Sequence, residues 1–184
     1  MNKFEEKTLS TDKIFEGKVI KLQVDEVELP DGKTSKREII KHPGAVAVIA
    51  VTEDNKIILV EQYRKALERS IVEIPAGKLE KGEDPKYSAE RELEEETGYE
   101  CERMEHINSF YTSPGFADEL VHVFLAHNLK KKENAAPADE DEFVELIEVS
   151  LEEAQVFIKE GKIRDAKTVY AIQYLQLQQA LANS

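Results

Sequence analysis

Alternating apolar and polar residues near the start of the chain predict a small sheet. Residues 18–29 alternate with one phase slip at Asp25-Glu26, which predicts a long strand with a bulge or a bend. Pro30-Asp31-Gly32-Lys33 is a turn signal, and residues 36–42 predict a returning strand. A sheet of this size buries little apolar surface, so we expect it to pack on the rest of the chain or on a second copy.

The remaining residues predict strands interrupted by three helices. Asp84-Pro85 is typical of a helix start, and Gly98 of a helix end. Ser150-Leu151-Glu152-Glu153 is a capping box that begins a second helix, which ends near Gly161, and residues 166–181 predict a third. The predicted strands cover residues 45–51, 56–62, 71–74, 105–110, 119–126 and 143–149.

This order of elements predicts an α/β or α+β sandwich around a mixed sheet. We divide the chain into an N-terminal antiparallel sheet, residues 1–42, and a main domain, residues 43–184. Because the N-terminal sheet has little core of its own, we expect a homodimer in which that sheet packs or exchanges across a two-fold axis.

Composition narrows the function classes. The longest apolar run, residues 45–51, is far shorter than the roughly 20 residues of a membrane helix, and the first residues lack the apolar segment of a signal peptide. The lone cysteine, Cys101, cannot form an internal disulfide, which favours the reducing cytoplasm. The formal charge of −13 argues against a nucleic-acid or membrane partner, and an anionic small molecule needs a bound cation or placed basic side chains.

A cluster of glutamates on the first predicted helix carries the candidate chemistry. Glu92 and Glu96 lie four residues apart on one face, and Glu95 flanks them. These like charges repel one another and lie near the negative end of the helix dipole. A divalent cation with hard oxygen ligands, Mg²⁺ or Mn²⁺, removes both conflicts, so the cluster predicts a metal site.

The residues around this cluster have roles in the same site. Gly77 permits a sharp turn that can bring the Ala76 carbonyl to a metal. Arg91 can pair with Glu83 or with a ligand carboxylate and fix its orientation. A run of glutamates alone is more often a solvated helix face, but Gly, Glu, Arg and Glu at fixed offsets across residues 77–99 favour a functional site.

Residues 77–99 resemble the signature of the Nudix hydrolases, which is G, five residues, E, seven residues, REU, one residue, EE, one residue, GU, where U is a bulky apolar residue. Tyr99 is aromatic where the pattern has an aliphatic residue. Ser113-Pro114-Gly115, Glu61-Gln62-Tyr63-Arg64 and Glu73-Ile74-Pro75-Ala76-Gly77 are similar to sequences of the ADP-ribose pyrophosphatase branch. The resemblance covers most of the chain and implies a Nudix-like α/β/α sandwich.

The resemblance implies metal ligation by Glu92, Glu96 and the Ala76 carbonyl, with Glu95 sharing the site as a catalytic residue. It implies that Arg64 binds the diphosphate, a task for which a charged bidentate fork is suited, although Arg64 taken alone reads as an exposed strand end.

Further residues follow from the same resemblance. The general base is expected on the loop before the last strand, where we favour Glu140, with Glu142 next as base or metal ligand. Pro114 and Glu119 are implied as substrate contacts. Arg37 and Glu38 correspond to positions that bind the nucleotide from the partner subunit, though polar strand residues are more often only exposed to solvent.

The function implied is Mg²⁺-dependent hydrolysis of ADP-ribose to AMP and ribose 5-phosphate. A nucleotide sugar or a dinucleotide coenzyme is an alternative substrate, because loops that determine specificity are poorly read from sequence. A non-catalytic nucleotide-sensing domain is the alternative from another class, and the intact glutamates argue against it.

Overall fold

The structure, a computed structural model, describes residues 3–132 and 143–183. In these residues the strands are β1 (Lys7–Glu16), β2 (Lys21–Glu28), β3 (Thr34–Lys41), β4 (Ala45–Ala50), β5 (Ile57–Arg64), β6 (Arg69–Glu73), β7 (Ala76–Lys78), β8 (Tyr99–Tyr111), β9 (Leu120–Lys131) and β10 (Val144–Val149). The helices are α1 (Pro85–Thr97), α2 (Leu151–Glu160) and α3 (Ala166–Ala182).

The chain divides into two compact units. The first combines the residues up to Gly44 with Phe110–Leu120, and the second combines Ala45–Ser109 with the residues from Val121 onward. The first unit therefore contains an N-terminal sheet and an inserted loop. The second contains most of the strands and all three helices of the described residues.

The first unit is built on an antiparallel sheet in the order β1-β2-β3. The predicted bulge in β2 is wrong, because β2 pairs with β3 without a break from Lys21 to Glu28. The register shifts lie in the pairing of β1 with β2. The phase slip arises because Asp25 occupies the inward face at 6% exposure, where it accepts hydrogen bonds from Thr11 Oγ1 at 2.8 Å and Gln23 Nε2 at 2.9 Å.

Strand β1 was not predicted from the sequence. All ten of its residues are exposed, so neither face of the strand requires apolar residues and the sequence shows no alternation. Three of its apolar side chains, Leu9, Ile14 and Phe15, are about half exposed.

The second unit contains two sheets, and the mixed sheet predicted from the sequence is one of them. This sheet has the order β7-β4-β9-β8, with β4 parallel to β9 and antiparallel to β7. The other sheet has the order β10-β5-β6 and is antiparallel. Strands β8 and β9 are longer than predicted.

Helix α1 packs on strands from both of these sheets. Its Ala89 and Leu93, four residues apart, are fully buried in a core that includes Val46, Val48 and Phe124. The predicted helix bounds are confirmed: Asp84 caps the first turn by accepting from two backbone amides, and Gly98 ends the helix at φ 71°. Beside this apolar stripe, Glu92 and Glu96 of α1 lie against Gly77 and Ala76 of β7.

The other two predicted helices are present as well. Ser150 and Glu153 form the predicted capping box of α2, and Gly161 ends that helix at φ 72°. Asp165 caps α3 by accepting from the backbone amide of Thr168. Within residues 3–132 and 143–183, no helix has the length and apolar character needed to span a membrane.

Candidate active site

Two buried glutamates define the candidate site. Glu92 and Glu96 are each 7% exposed, although they lie on a helix whose Glu90 is exposed to solvent. A buried carboxylate is costly unless it is paired with a donor, a cation or a metal. A run of glutamates alone would predict side chains exposed to solvent, and Glu92 and Glu96 are buried instead.

Gly77 on β7 makes room for the Glu92 carboxylate. A Cβ atom added at Gly77 would lie 1.9 Å from Glu92 Cδ and 2.0 Å from Oε1. The backbone of Gly77 is not in the left-handed region, so the glycine is needed for space and not for its conformation.

Glu96 is bound to the same strand. Its Oε2 accepts a hydrogen bond from the backbone amide of Ala76 at 2.9 Å. The structure therefore brings Ala76, Glu92 and Glu96 together beside β7, while their role as metal ligands stays a prediction.

Arg91 links Glu92 of this pair to two further acidic side chains, Glu83 and Glu95. Its Nε lies 3.1 Å from Glu83 Oε1, and its Nη1 lies 2.8 Å from Glu95 Oε2 and 2.9 Å from Glu92 Oε1. Burial opposes the charge, but the contacts with these carboxylates prevail and raise the pKa of Arg91. The hydrogen bond from Arg91 in turn lowers the pKa of Glu83.

The donor chemistry of this cluster fits a hard divalent cation. Glu92, Glu95 and Glu96 offer carboxylate oxygens, and the space beside Gly77 is filled by one of these carboxylates. In the described part of the chain, no group of three His, Cys, Asp or Glu side chains is already arranged around a metal position. Arg91 is the counter-ion of Glu92 and Glu95 in this arrangement, so a cation would compete with it.

Arg64 lies at the end of β5 and is bound by the carboxylate of Glu73. Its Nε lies 2.6 Å from Oε2 of Glu73, which is 3% exposed, and Glu73 also accepts from Lys167 Nζ. Sequence reasoning did not assign a role to Glu73 or Lys167. The available signal was a glutamate in the otherwise apolar run Ile71–Ile74.

The candidate residues of the first unit are held by polar contacts of their own. Arg37 donates to Glu6 through Nε at 2.8 Å and through Nη2 at 2.6 Å, while Glu38 is exposed. Glu119 Oε2 accepts from Thr112 Oγ1 at 2.5 Å, which closes the loop that carries Pro114. Their proposed contact with substrate stays a prediction.

The two candidate bases, Glu140 and Glu142, lie outside the described residues. Their assignment stays a prediction from the family resemblance.

A cleft of about 350 Å³ borders another part of α1. Arg91 and Glu95 line this cleft, but Glu92 and Glu96 do not, so the buried pair lies outside it. Cys101 also lines this cleft, and burial raises the pKa of its thiol. A raised pKa disfavours the thiolate, which is the nucleophilic form of cysteine.

A family model described as the NUDIX domain matches residues 41–172. The chain belongs to the Nudix family. A second model, described as the nucleoside diphosphate sugar hydrolase N-terminal domain, matches residues 6–40. The recognition made from residues 77–99 is confirmed.

Two curated relatives are similar to this Nudix chain over nearly its whole length. A methanol dehydrogenase activator from Bacillus methanolicus is 71% identical, covering 97% of this chain and 96% of the relative. An ADP-ribose pyrophosphatase from Bacillus subtilis (strain 168) is 64% identical, covering 98% of each chain. The predicted enzyme class, a Nudix hydrolase acting on a phosphoanhydride bond, is confirmed.

A solved structure described as an ADP compounds hydrolase has the same fold. It aligns with a TM-score of 0.82 over 95% of this chain and 94% of that chain, at 17% identity. The predicted Nudix fold class is confirmed. Nudix hydrolases generally use divalent metal ions, and the acidic cluster on α1 is the candidate place for them.

Proposed function

We propose that this Nudix hydrolase converts ADP-ribose and water to AMP and ribose 5-phosphate, using Mg²⁺, with Mn²⁺ as the alternative ion. The observation that carries the proposal is the buried pair Glu92 and Glu96, packed against Gly77 and Ala76 on the matched family motif. The 64% identical ADP-ribose pyrophosphatase supports the choice of substrate.

The reaction adds one water to one phosphorus of the diphosphate and breaks the bond from that phosphorus to the bridging oxygen. When bound, Mg²⁺ neutralises charge on the diphosphate and lowers the pKa of a coordinated water molecule. Glu92, Glu96 and the Ala76 carbonyl would hold it, with Glu95 sharing the site. Glu140, or else Glu142, accepts the proton of the attacking water.

Arg64 is assigned to the diphosphate itself. A guanidinium can donate two parallel hydrogen bonds to phosphoryl oxygens and balances charge that develops as the bond breaks. Its side chain is 40% exposed, so it is accessible to a ligand.

The assay is AMP release from ADP-ribose with Mg²⁺, after addition of EDTA, and in Glu96→Gln. We expect EDTA to abolish release and Glu96→Gln to lower kcat by roughly 10²–10³-fold. Glu90→Gln is the matched control, because Glu90 lies on the same helix but is exposed and pairs with Lys86 at 3.9 Å. Activity that survives both EDTA and Glu96→Gln contradicts the mechanism.

The substrate is tested separately by a panel ranked by kcat/KM. ADP-ribose, GDP-mannose and NADH represent the proposed substrate, a nucleotide sugar and a dinucleotide coenzyme. The family model for residues 6–40, named for nucleoside diphosphate sugar hydrolases, makes the nucleotide sugar the main competitor. A higher kcat/KM for GDP-mannose or NADH would replace ADP-ribose as the substrate. Binding of ADP-ribose without turnover would instead favour a sensing domain.

A second candidate function comes from the 71% identical methanol dehydrogenase activator. If this chain shares that role, adding it to purified methanol dehydrogenase of Bacillus methanolicus raises the rate of methanol oxidation. Glu96→Gln then shows whether hydrolysis is needed for the effect. An unchanged rate with the wild-type chain rejects this role.

A homodimer in which the N-terminal sheet contacts the second copy is part of the proposal. It is supported by β1, whose ten exposed residues include Leu9, Ile14 and Phe15. Sedimentation equilibrium of the wild-type chain and of Ile14→Glu is the measurement. A stable, active wild-type monomer contradicts it. A cytoplasmic location also stays a prediction.

A further inference from the structure

A row of four charged side chains of alternating sign ends at Arg64. Asp165 Oδ2 lies 3.0 Å from Lys167 Nζ, Lys167 donates to Glu73 Oε1, and Glu73 Oε2 lies 2.6 Å from Arg64 Nε. The side chain of Glu73 is 4% exposed and that of Lys167 15%, whereas that of Arg64 is 40% exposed. Arg64 is therefore the member of the row that is most open to solvent.

The way in which Glu73 binds Arg64 leaves its other edge available. Glu73 accepts from Nε, and within residues 3–132 and 143–183 no hydrogen bond from Arg64 Nη1 or Nη2 is found. A guanidinium has five N–H donors in a fixed planar fork, so fixing Nε fixes the direction of the remaining edge. That edge can donate two parallel hydrogen bonds to a phosphoryl group.

Helix docking does not account for this buried carboxylate. The first turn of α3 is already joined to the residue that follows β6 by a buried hydrogen bond from the Ile74 amide to Thr168 Oγ1 at 2.9 Å. Removing one partner of a buried ion pair has a large free-energy cost, because it leaves the other charge uncompensated. Apolar residues of similar size in place of the whole pair often pack equally well. A carboxylate placed between two cations here is better explained by the arginine that it orients.

We propose that Glu73, held in place by Lys167, is a positioning residue that aims the guanidinium of Arg64 at the diphosphate of the substrate. This inference rests on the role of Arg64 in the proposed function. Glu73 does not touch the substrate, and its whole effect on turnover passes through Arg64.

A double-mutant cycle on kcat/KM for ADP-ribose tests the inference. We expect Arg64→Ala to lower kcat/KM by about 100-fold and Glu73→Gln by about tenfold, the scale of lost charge-assisted hydrogen bonds. In the Arg64→Ala background, Glu73→Gln should change kcat/KM by less than about twofold. An equal effect of Glu73→Gln in both backgrounds, or no effect in the wild-type chain, overturns the inference.

Chemical rescue provides a readout that a merely structural role would not change. Millimolar guanidinium chloride should restore part of the activity of Arg64→Ala, because Glu73 still binds the free guanidinium ion in place of the lost side chain. The double variant should not be rescued. Rescue of both variants to the same degree contradicts a positioning role for Glu73.

A second variant keeps the test decisive if Glu73→Gln does not fold. Lys167→Met removes the other cation bound to Glu73, and we expect it too to lower kcat/KM in the wild-type background and to be silent in Arg64→Ala. Glu105→Gln is the matched control, because Glu105 accepts from Arg103 at 2.7 Å on β8, which belongs to the other sheet. A loss in the control as large as that in Glu73→Gln overturns the inference.

Turnover by the wild-type chain separates the two proposals. Hydrolysis of ADP-ribose with additive effects in the cycle overturns the positioning role alone. If GDP-mannose or NADH is hydrolysed instead, the proposed substrate is wrong, and the same cycle measured on that compound decides the role of Glu73.

Discussion

Replacing Gly77 with alanine is the sharpest test of the candidate site. The added methyl carbon would lie 1.9 Å from Glu92 Cδ, and a real Cβ essentially never comes within 3.0 Å of a non-bonded heavy atom outside its own stretch of chain. The carboxylate must therefore retreat by about 1 Å. A misplacement of about 1 Å in a catalytic group can cost about 10²-fold in rate, so we expect kcat/KM for ADP-ribose to fall about 100-fold.

The same substitution should leave the fold nearly intact. The atoms that the new methyl group meets belong to the flexible end of Glu92, and the φ of Gly77 suits any residue. Alanine also lowers the entropy of the unfolded chain, which stabilises by about 0.4–1 kcal/mol and offsets part of the strain. We expect the free energy of unfolding, measured by urea denaturation, to change by less than about 1 kcal/mol.

The opposite pattern is expected for Gly32→Ala. Gly32 has a φ of +82° with no atom near its added Cβ, so alanine would strain the backbone without moving a carboxylate. It should lose about 1 kcal/mol of stability and keep its activity per folded molecule. A Gly77→Ala variant with full activity, or one as unstable as it is inactive, refutes the role assigned to this close contact.

Three further predictions concern stability. Arg91 lowers the pKa of Glu83 from its ordinary value of 4.5, so their pair stabilises the fold at neutral pH by roughly 1 kcal/mol or less. This stabilisation is lost as the pH falls through the lowered pKa. The difference in unfolding free energy between wild type and Arg91→Met should therefore shrink below about pH 4.5, and a constant difference contradicts this. Asp25→Ala leaves the donors of Thr11 and Gln23 without their acceptor and should cost about 1–3 kcal/mol in urea denaturation, whereas a neutral effect would reject a structural role for this acid. Ser150→Ala removes the capping box of α2 and should cost about 1 kcal/mol, while Ser150→Asp, which can still cap, should cost less.

The helix bounds could be predicted because their causes are local. Asp84 begins α1 and Gly98 ends it through contacts with backbone groups within four residues. Ser150 and Glu153 begin α2 in the same local way. The acidic face of α1 was also readable, since helical periodicity alone places Glu92 above Glu96.

The remaining features depend on residues that are distant in the sequence. Asp25 looked like a break in alternation because its partner Thr11 lies on another strand. Glu73 took on meaning only through Lys167, which is 94 residues away. Strand β1 could not be recognised from a buried face because it has none within its unit. Pairing patterns of this kind are set by tertiary structure and leave little trace in local sequence.

Arg91 gives the acidic end of α1 an internal counter-ion. Glu83, Glu92 and Glu95 are each within 3.1 Å of its guanidinium, so their mutual repulsion is relieved before any external ion arrives. We therefore expect the protein to fold without a bound divalent cation. If a cation binds these carboxylates as proposed, it replaces Arg91 as their positive partner, and its removal should abolish activity without unfolding the protein.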